Sequence, residues 1–236
     1  IYTDLSTGKR SDGTQDVACF PGYQFKDSGF EESDYISKII TGKSIYKQHD
    51  PGEGGFVYAE PGMHYNVALL DIASMHPSSI IALNIFGEYT KRFKEIVDAR
   101  LAIKHRDVEK LKTLLNGALA DAIGSDEDMD ILSDALKLVI NSVYGFTTAT
   151  FDNPFKDPRN VDNIVAKRGA LFMVDLKEEV QKRGFTVAHI KTDSIKIPNA
   201  TPEIIDFVME FGKKYGYNFE HEATYSKMCL VNDGVY

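Results

Sequence analysis

The sequence predicts an α+β fold, because strand-like and helical segments alternate along the chain. Four segments cluster or alternate apolar residues as strands do. They are residues 64–71, 185–190, 195–198 and 219–236. Four other segments repeat apolar residues at helical spacing. They are residues 91–115, 130–144, 161–183 and 201–216.

The composition excludes two broad classes of protein. With 43% hydrophobic and 26% charged residues among 236, the chain is neither a disordered polymer nor a carrier of a long membrane-spanning run. Its two cysteines are too few for a disulfide framework, which favours a reducing compartment. The net charge of -8 opposes non-specific binding of nucleic acid. Residues 91–112 are locally basic, however, so one surface facing a polyanion is expected.

Two aspartates are the candidates for a metal site. Asp193 lies in the stretch 191–194 between two predicted strands, which places it at the tip of a hairpin. Asp71 follows the apolar run 67–70 at the end of another strand. A lone aspartate at such a position is more often a turn residue or a helix cap. If the two carboxylates meet, they supply the oxygen ligands that divalent cations prefer.

A cluster of cations is predicted on two neighbouring helices. Arg100 and Lys104 are four residues apart and share one face of the first helix. Lys137, Asn141 and Tyr144 share a face of the second helix. Joined by a short turn, the helices would form an antiparallel pair whose cations suit a polyphosphate, although a solvated charged face is the alternative. The buried stripe of the second helix is predicted to hold Leu132, Leu136, Val139, Ile140 and Val143.

The N-terminal segment is predicted to be rich in loops. Residues 1–60 space glycine, aspartate and serine as turns do, and only residues 35–40 suggest a helix. Gly54 and Gly55 precede an apolar run, where a backbone can approach a phosphate closely, although a tight turn into a strand is the simpler explanation.

Three spaced segments resemble the motifs of one enzyme family, the family B (alpha-like) DNA polymerases. Residues 71–78 read Asp-Ile-Ala-Ser-Met-His-Pro-Ser, similar to the family's Asp-x-x-Ser-Leu-Tyr-Pro-Ser. Residues 137–145 read Lys-Leu-Val-Ile-Asn-Ser-Val-Tyr-Gly, similar to Lys-x-x-x-Asn-Ser-x-Tyr-Gly. Residues 191–194 read Lys-Thr-Asp-Ser, similar to Asp-Thr-Asp-Ser. The pair Gly54-Gly55 stands at a spacing similar to a glycine pair that these enzymes place near template DNA.

The resemblance implies a palm, an antiparallel sheet with packed helices, interrupted by a two-helix antiparallel fingers insertion. Palm would comprise residues 51–85 and 146–236, and fingers residues 86–145, after a loop-rich N-terminal remnant of residues 1–50. The resemblance also implies that the chain is a palm and fingers fragment, without the thumb and exonuclease domains of complete family members. The compact insert resembles that of phage enzymes, which implies viral DNA replication in the cytoplasm of a bacterial host, with no membrane association.

The resemblance also implies an activity and a set of site residues. The activity is template-directed DNA synthesis on primer-template DNA from deoxynucleoside triphosphates, with two Mg²⁺ ions that Mn²⁺ can replace. Asp71, Asp193 and the carbonyl of Ile72 would bind metal, and Lys137 would act as proton donor. The nucleotide would be bound by Ser74, Met75, His76, Arg100, Lys104, Lys137, Asn141 and Tyr144. DNA would be bound by Gly54, Gly55, Lys191, Thr192 and Ser194.

Two positions depart from the family pattern. His76 stands where the family has a tyrosine that packs under the sugar, so we expect ribonucleotide rejection to depend on a different contact. Lys191 replaces the first aspartate of the third motif, and a cation cannot bind magnesium. The expectation is that Asp71 and Asp193 suffice. The alternatives are a catalytically inactive DNA-binding homologue and another palm-type polymerase, such as a reverse transcriptase.

Overall fold

A computed structural model of the chain describes residues 1–26, 43–160 and 162–234. The predicted helix at residues 35–40 lies outside these ranges. The strands are β1 (Gln24–Lys26), β2 (Lys43–Ile45), β3 (Val57–Ala59), β4 (Gly62–Ile72), β5 (His189–Lys191), β6 (Ser194–Pro198) and β7 (Phe219–Leu230). The helices are α1 (Met75–Ala82), α2 (Thr90–Lys104), α3 (Val108–Thr113), α4 (Asp126–Thr148), α5 (Ile164–Lys182) and α6 (Pro202–Lys214). The predicted mixture of an antiparallel sheet and packed helices is confirmed.

Five of the strands form one antiparallel sheet in the order β3-β5-β6-β4-β7. The long strand β4 lies between β6 and β7, so its last residues are paired on both sides. Strands β5 and β6 are joined by only Thr192 and Asp193, because Lys191 pairs directly with Ser194. The predicted hairpin at residues 191–194 is therefore confirmed.

The helices α1, α5 and α6 cover one face of this sheet. Side chains alternate along a strand, so Leu70 and Ile72 enter the core while Asp71 between them faces the other way. The nearly continuous apolar run of α5, around Leu171 and Phe172, is fully buried against them. Helix α6 begins as predicted, with the Thr201 side chain accepting a hydrogen bond at its N-terminus. Because Leu70 and Ile72 are buried under the helices, the Asp71 side chain lies on the opposite face of the sheet.

The predicted helix at residues 91–115 is wrong in its extent, because it is two helices. Helix α2 ends at Lys104, and Arg106 has a left-handed backbone with φ 59°. The Asp107 side chain then accepts a hydrogen bond from the Lys110 N–H and starts α3. The predicted short turn to the next helix is also wrong, since residues 105–125 include α3 and two further helical turns.

Helix α4 extends the predicted helix at both ends, and the Ser125 side chain caps its N-terminus. It lies antiparallel to α2, because Arg106 pairs with Asp130 at one end while Phe93 and Val143 line one groove at the other. Ile140 is buried as predicted. The prediction for Val139 is wrong, because its side chain is 50% exposed on the side of α4 away from α2.

The described N-terminal residues form little regular secondary structure, as predicted, yet they are part of the core. Leu5 and Phe20 are buried with the side chains of α5. Asp16 accepts two hydrogen bonds from the Arg168 guanidinium, at 2.9 and 3.0 Å, and neither side chain is more than 1% exposed. This segment therefore stabilises the helix that supports the sheet.

Gly55 allows the chain before β3 to approach the β5–β6 hairpin. Its φ is 145°, and a Cβ atom there would lie 2.8 Å from Cγ2 of Thr192. We expect Gly55→Ala to lower the free energy of unfolding by about 1–3 kcal/mol, since both strain and overlap oppose the methyl group. Gly54→Ala is the matched control for urea denaturation. A Cβ there meets no described atom within 4 Å, so its effect should stay within about 0.5 kcal/mol. Equal effects would contradict this interpretation.

None of the helices in the described part of the chain is long and apolar enough to cross a membrane.

Candidate active site at the end of the sheet

The two predicted metal-binding aspartates meet at one end of the sheet. Asp71 pairs with Ser194 in the register of β4 and β6, and the Ile72 N–H donates to the Asp193 carbonyl at 2.9 Å. Both aspartates line one cavity of about 310 Å³. Two carboxylates separated by more than a hundred residues in sequence are thus neighbours in space.

Two carboxylates line the sheet side of the cavity, Asp71 and Asp193. The pKa of Asp71 is raised to about 7, first by burial and then by the charges of Asp193, Glu222 and Glu220. Lys104 opposes this shift. An acidic cluster that raises the pKa of its own member favours a positive ligand, because a cation would offset the repulsion.

Arg100, Lys104 and Lys137 line the same cavity, so α2 and α4 bring the predicted cations opposite the carboxylates. Arg100 donates to the Ser74 hydroxyl at 3.3 Å, and its buried Nε atom has no partner among the described residues. Within the same ranges, neither Arg100 nor Lys137 forms an ion pair with a carboxylate. Lys104, in contrast, lies 2.8 Å from Glu220. Two unpaired cations and one paired cation therefore face the cavity.

The N-terminus of α1 adds backbone donors to this cavity. Ser74 precedes the helix with φ 60° and ψ 55°, and its side chain does not cap the terminus. Ser74, Met75 and His76 line the cavity. The first N–H groups of a helix lack partners within the helix and attract anions. This terminus suits a phosphate group.

His76 lies in a fixed position beside the cavity. Its ring stacks on Tyr144, with centroids 4.3 Å apart and planes inclined by 13°. Burial lowers the pKa of His76, although the Asp193 charge opposes this, so the imidazole is neutral at pH 7. Its Nδ1 atom is buried and has no hydrogen-bond partner in the part of the chain that the structure describes. Asn141 lines the cavity, whereas Tyr144 lies behind His76.

The residues predicted to bind DNA are placed around the hairpin, outside the cavity. Thr192 packs on Gly55 and donates its N–H to the Phe56 carbonyl at 3.0 Å. Ser194 is buried, and its hydroxyl donates to the Lys191 carbonyl at 3.3 Å. The Lys191 side chain is exposed. The structure thus brings Gly55 and the hairpin together. A Cβ atom built on Gly54, in contrast, would meet no described atom within 4 Å.

The donor set at the cavity fits magnesium. Over the described ranges, no three His, Cys, Asp or Glu side chains converge as a complete metal site. Magnesium commonly binds one or two protein carboxylates and takes its other ligands from water and substrate phosphates. Asp71 and Asp193, with the adjacent backbone of Ile72, match that pattern.

Sequence reasoning missed Glu220 and Glu222, two residues of β7 whose charges act on Asp71. Their only signal in the sequence was their place near the start of the predicted strand at residues 219–236. That strand's partner was not predictable, because β7 pairs with β4 across more than 140 residues.

Asp71→Asn should stabilise the metal-free chain, because burial and neighbouring acids disfavour the charged aspartate in the folded state. We expect a gain of about 1–2 kcal/mol at pH 8, reduced by solvent screening at this half-buried site. The folded pKa is about 7 and the ordinary value is 3.8, so the gain should shrink as pH falls from 7 toward 4. Urea denaturation across this range measures it. A gain that does not change with pH would contradict the assignment.

Comparisons with known proteins give one consistent relationship. No protein-family model matches the chain. The DNA polymerase of Archaeoglobus fulgidus is 30% identical over 202 residues, which are 76% of this chain and 25% of that protein. DNA polymerase 1 of Saccharolobus solfataricus is 25% identical over 216 residues, 80% of this chain and 23% of that protein.

The family B DNA polymerase of Pyrobaculum calidifontis matches the fold with a TM-score of 0.51 and 16% identity. This match covers 74% of this chain and 26% of that one. The chain is homologous to a segment of archaeal DNA polymerases, and its fold matches part of a family B DNA polymerase.

The similarity extends beyond archaea. The catalytic subunit of DNA polymerase alpha from Saccharomyces cerevisiae is 24% identical over 174 residues, 66% of this chain and 12% of that protein. The chain spans about a quarter of the length of the archaeal polymerases it matches. The comparisons agree with the resemblance read from the three motifs, since the sequence relatives are DNA polymerases and the fold matches part of a family B enzyme.

Proposed function

We propose that the chain carries the catalytic centre of a DNA-directed DNA polymerase. It adds deoxynucleotides to a primer 3′-hydroxyl on a DNA template and releases pyrophosphate. The observation that carries this proposal is the meeting of Asp71 and Asp193 with Arg100, Lys104 and Lys137 in one cavity. Carboxylates for divalent cations beside cations for a triphosphate are the parts that phosphoryl transfer requires. The homology supports the choice of DNA synthesis over other phosphoryl transfers.

In this proposal Asp71, Asp193 and the Ile72 carbonyl would hold two Mg²⁺ ions, which Mn²⁺ could replace. Such ions would make the primer 3′-hydroxyl more acidic and would offset the negative charge that develops in the transition state. The protein itself positions the triphosphate. Arg100 and Lys137 face the cavity without carboxylate partners among the described residues, so they can bind phosphate oxygens without first losing an ion pair.

Other residues complete the nucleotide site. The N–H groups of Ser74, Met75 and His76 at the start of α1 bind phosphate. Lys137 donates a proton to the departing pyrophosphate. Asn141 and Tyr144 shape the pocket for the nucleotide, with Tyr144 acting through the stacked ring of His76.

The proposed arrangement of domains follows the fold. Residues 51–85 and 146–236 form the palm, and residues 86–145, with the antiparallel helices α2 and α4, form the fingers. Gly54, Gly55 and the hairpin residues Lys191, Thr192 and Ser194 contact primer-template DNA. A thumb and an exonuclease domain would lie in other parts of the natural protein, in keeping with the quarter-length match to relatives.

His76 is proposed to support the sugar of the incoming nucleotide through a contact different from that of the family's tyrosine. It is smaller than tyrosine, but stacking on Tyr144 fixes its ring. We expect His76→Ala to reduce discrimination against ribonucleotides by about tenfold, since a contact of this size is worth roughly 1–2 kcal/mol. Single-nucleotide incorporation with matched ribo- and deoxynucleotides measures the ratio. Unchanged selectivity would remove His76 from this role.

A catalytically inactive DNA-binding homologue is the second candidate, and Lys191 is the observation that favours it. The exposed Lys191 side chain cannot replace a metal-binding aspartate. It lies outside the cavity, however, where an ammonium group can contact a primer phosphate without entering the metal site. The predicted role in viral replication stays a prediction, because the similar proteins come from archaea and yeast.

Primer extension tests the proposal. This sequence in its natural full-length protein should extend a DNA primer on a DNA template in the presence of Mg²⁺, and Mn²⁺ should substitute. A reaction without either cation should give no product. Template binding by a well-folded wild-type protein that never extends the primer, with either cation, would support the inactive homologue instead.

A further inference from the structure

Glu220 neighbours one acidic and one basic residue that line the cavity, Asp71 and Lys104. It pairs with Asp71 in the register of β4 and β7, and its charge helps to raise the pKa of Asp71. Its Oε2 atom lies 2.8 Å from the Nζ atom of Lys104, and its Oε1 atom lies 3.1 Å from Nε2 of His105. Glu220 therefore joins the C-terminal end of α2 to the first residues of β7.

This contact sets Lys104 apart from the other two cations of the cavity. Arg100 and Lys137 have no carboxylate partner within the described ranges, whereas Lys104 is already neutralised by one. A phosphate that reaches Lys104 also comes close to Glu220, and two negative charges at short range repel each other. Glu220 and a triphosphate must therefore compete for the same ammonium group.

The ion pair between Lys104 and Glu220 is weak enough for a phosphate to displace the carboxylate. The Lys104 and Glu220 side chains are 43% and 31% exposed, so water screens their ion pair. Pairs of this kind contribute little to stability, and they exchange partners at small cost. A polyphosphate carries more charge than one carboxylate, and it has Arg100 and Lys137 to hold it while Lys104 changes partner.

We propose that Glu220 is a positioning residue that holds Lys104 at the end of the sheet and releases it when a nucleoside triphosphate binds. This inference rests on the proposed function. Glu220 acts through Lys104 and not on the reacting atoms. Its presence weakens nucleotide binding and leaves the chemical step unchanged.

Glu222 provides the matched control. It carries the same charge two residues further along β7, and it too raises the pKa of Asp71. No ion pair joins it to Lys104 in the described part of the chain. Glu220→Gln and Glu222→Gln therefore remove the same charge, but only the first removes the ion pair with Lys104.

The experiment measures KM and kcat for single-nucleotide incorporation by the natural full-length protein at saturating Mg²⁺. Glu220→Gln should lower the KM for nucleotide about two- to fivefold and keep kcat within about twofold of wild type. Glu222→Gln should leave the KM within about twofold. In a Lys104→Gln background, the further change Glu220→Gln should have no effect on the KM, because no ammonium group remains to be released.

A second measurement separates this inference from the proposed function. Calorimetric titration with inorganic tripolyphosphate and Mg²⁺ should show the same two- to fivefold tighter binding in Glu220→Gln, whether or not the protein extends a primer. Absence of primer extension by the wild type would defeat the proposed function alone. Equal effects of Glu220→Gln and Glu222→Gln, or an effect that persists without Lys104, would overturn the role of Glu220. So would unchanged or weaker tripolyphosphate binding in Glu220→Gln.

Discussion

Asp193→Asn is expected to reduce primer extension by about 10³-fold or more. Asparagine has the same shape but lacks the charge that would hold a divalent cation. The loss of several kcal/mol of transition-state stabilisation corresponds to a factor of this size. The hairpin should keep its structure, because the described contacts of this turn use the Asp193 backbone. Single-turnover extension of a labelled primer measures the rate.

The matched control is Asp206→Asn, which makes the same change on an exposed residue of α6. Its rate should stay within about twofold of wild type. Thermal unfolding of both variants should confirm that they are folded. If Asp193→Asn retained wild-type activity, Asp193 would not be a metal ligand and the mechanism would need another carboxylate.

The second large effect is expected on stability. Arg168→Met should lower the free energy of unfolding by about 3–5 kcal/mol, because it leaves the buried Asp16 carboxylate without a counter-charge. It also removes the hydrogen bond that Arg168 donates to the Tyr215 carbonyl at 2.8 Å. Urea denaturation followed by circular dichroism measures the change.

Arg159→Met provides the comparison. Arg159 also pairs with an aspartate, Asp157, but its side chain is 57% exposed. Its loss should cost much less than the loss of Arg168, because water screens an exposed ion pair. Similar costs for the two variants would mean that the N-terminal residues do not depend on Arg168 for their attachment to α5.

Local signals explain which parts of the fold were predictable. The hairpin at residues 191–194 and the start of α6 depend on neighbouring residues, and both were predicted correctly. The break between α2 and α3 depends on the left-handed backbone of Arg106, which its side chain does not favour. In that conformation Arg106 donates to the Asp126 carbonyl and the Asp130 carboxylate on α4, long-range contacts that the periodicity of the segment did not reveal.

The candidate site was predictable where a residue type carries its own chemistry. Asp71, Asp193, Arg100 and Lys137 were selected by type and spacing, and they line one cavity. The pairing of Lys104 with Glu220 was not predictable, because the two residues are 116 positions apart on elements whose relative placement the sequence does not encode locally. The same holds for Asp16 and Arg168, 152 positions apart.

The central claim is that Asp71 and Asp193 share divalent cations beside a triphosphate held by Arg100 and Lys137. A crystal structure with Mn²⁺ and a non-hydrolysable deoxynucleoside triphosphate tests it most directly, through the anomalous scattering of the metal. We expect anomalous peaks about 2 Å from carboxylate oxygens of both aspartates, with the phosphates in contact with Arg100 and Lys137. Metal bound away from either aspartate, or a triphosphate outside this cavity, would contradict the claim.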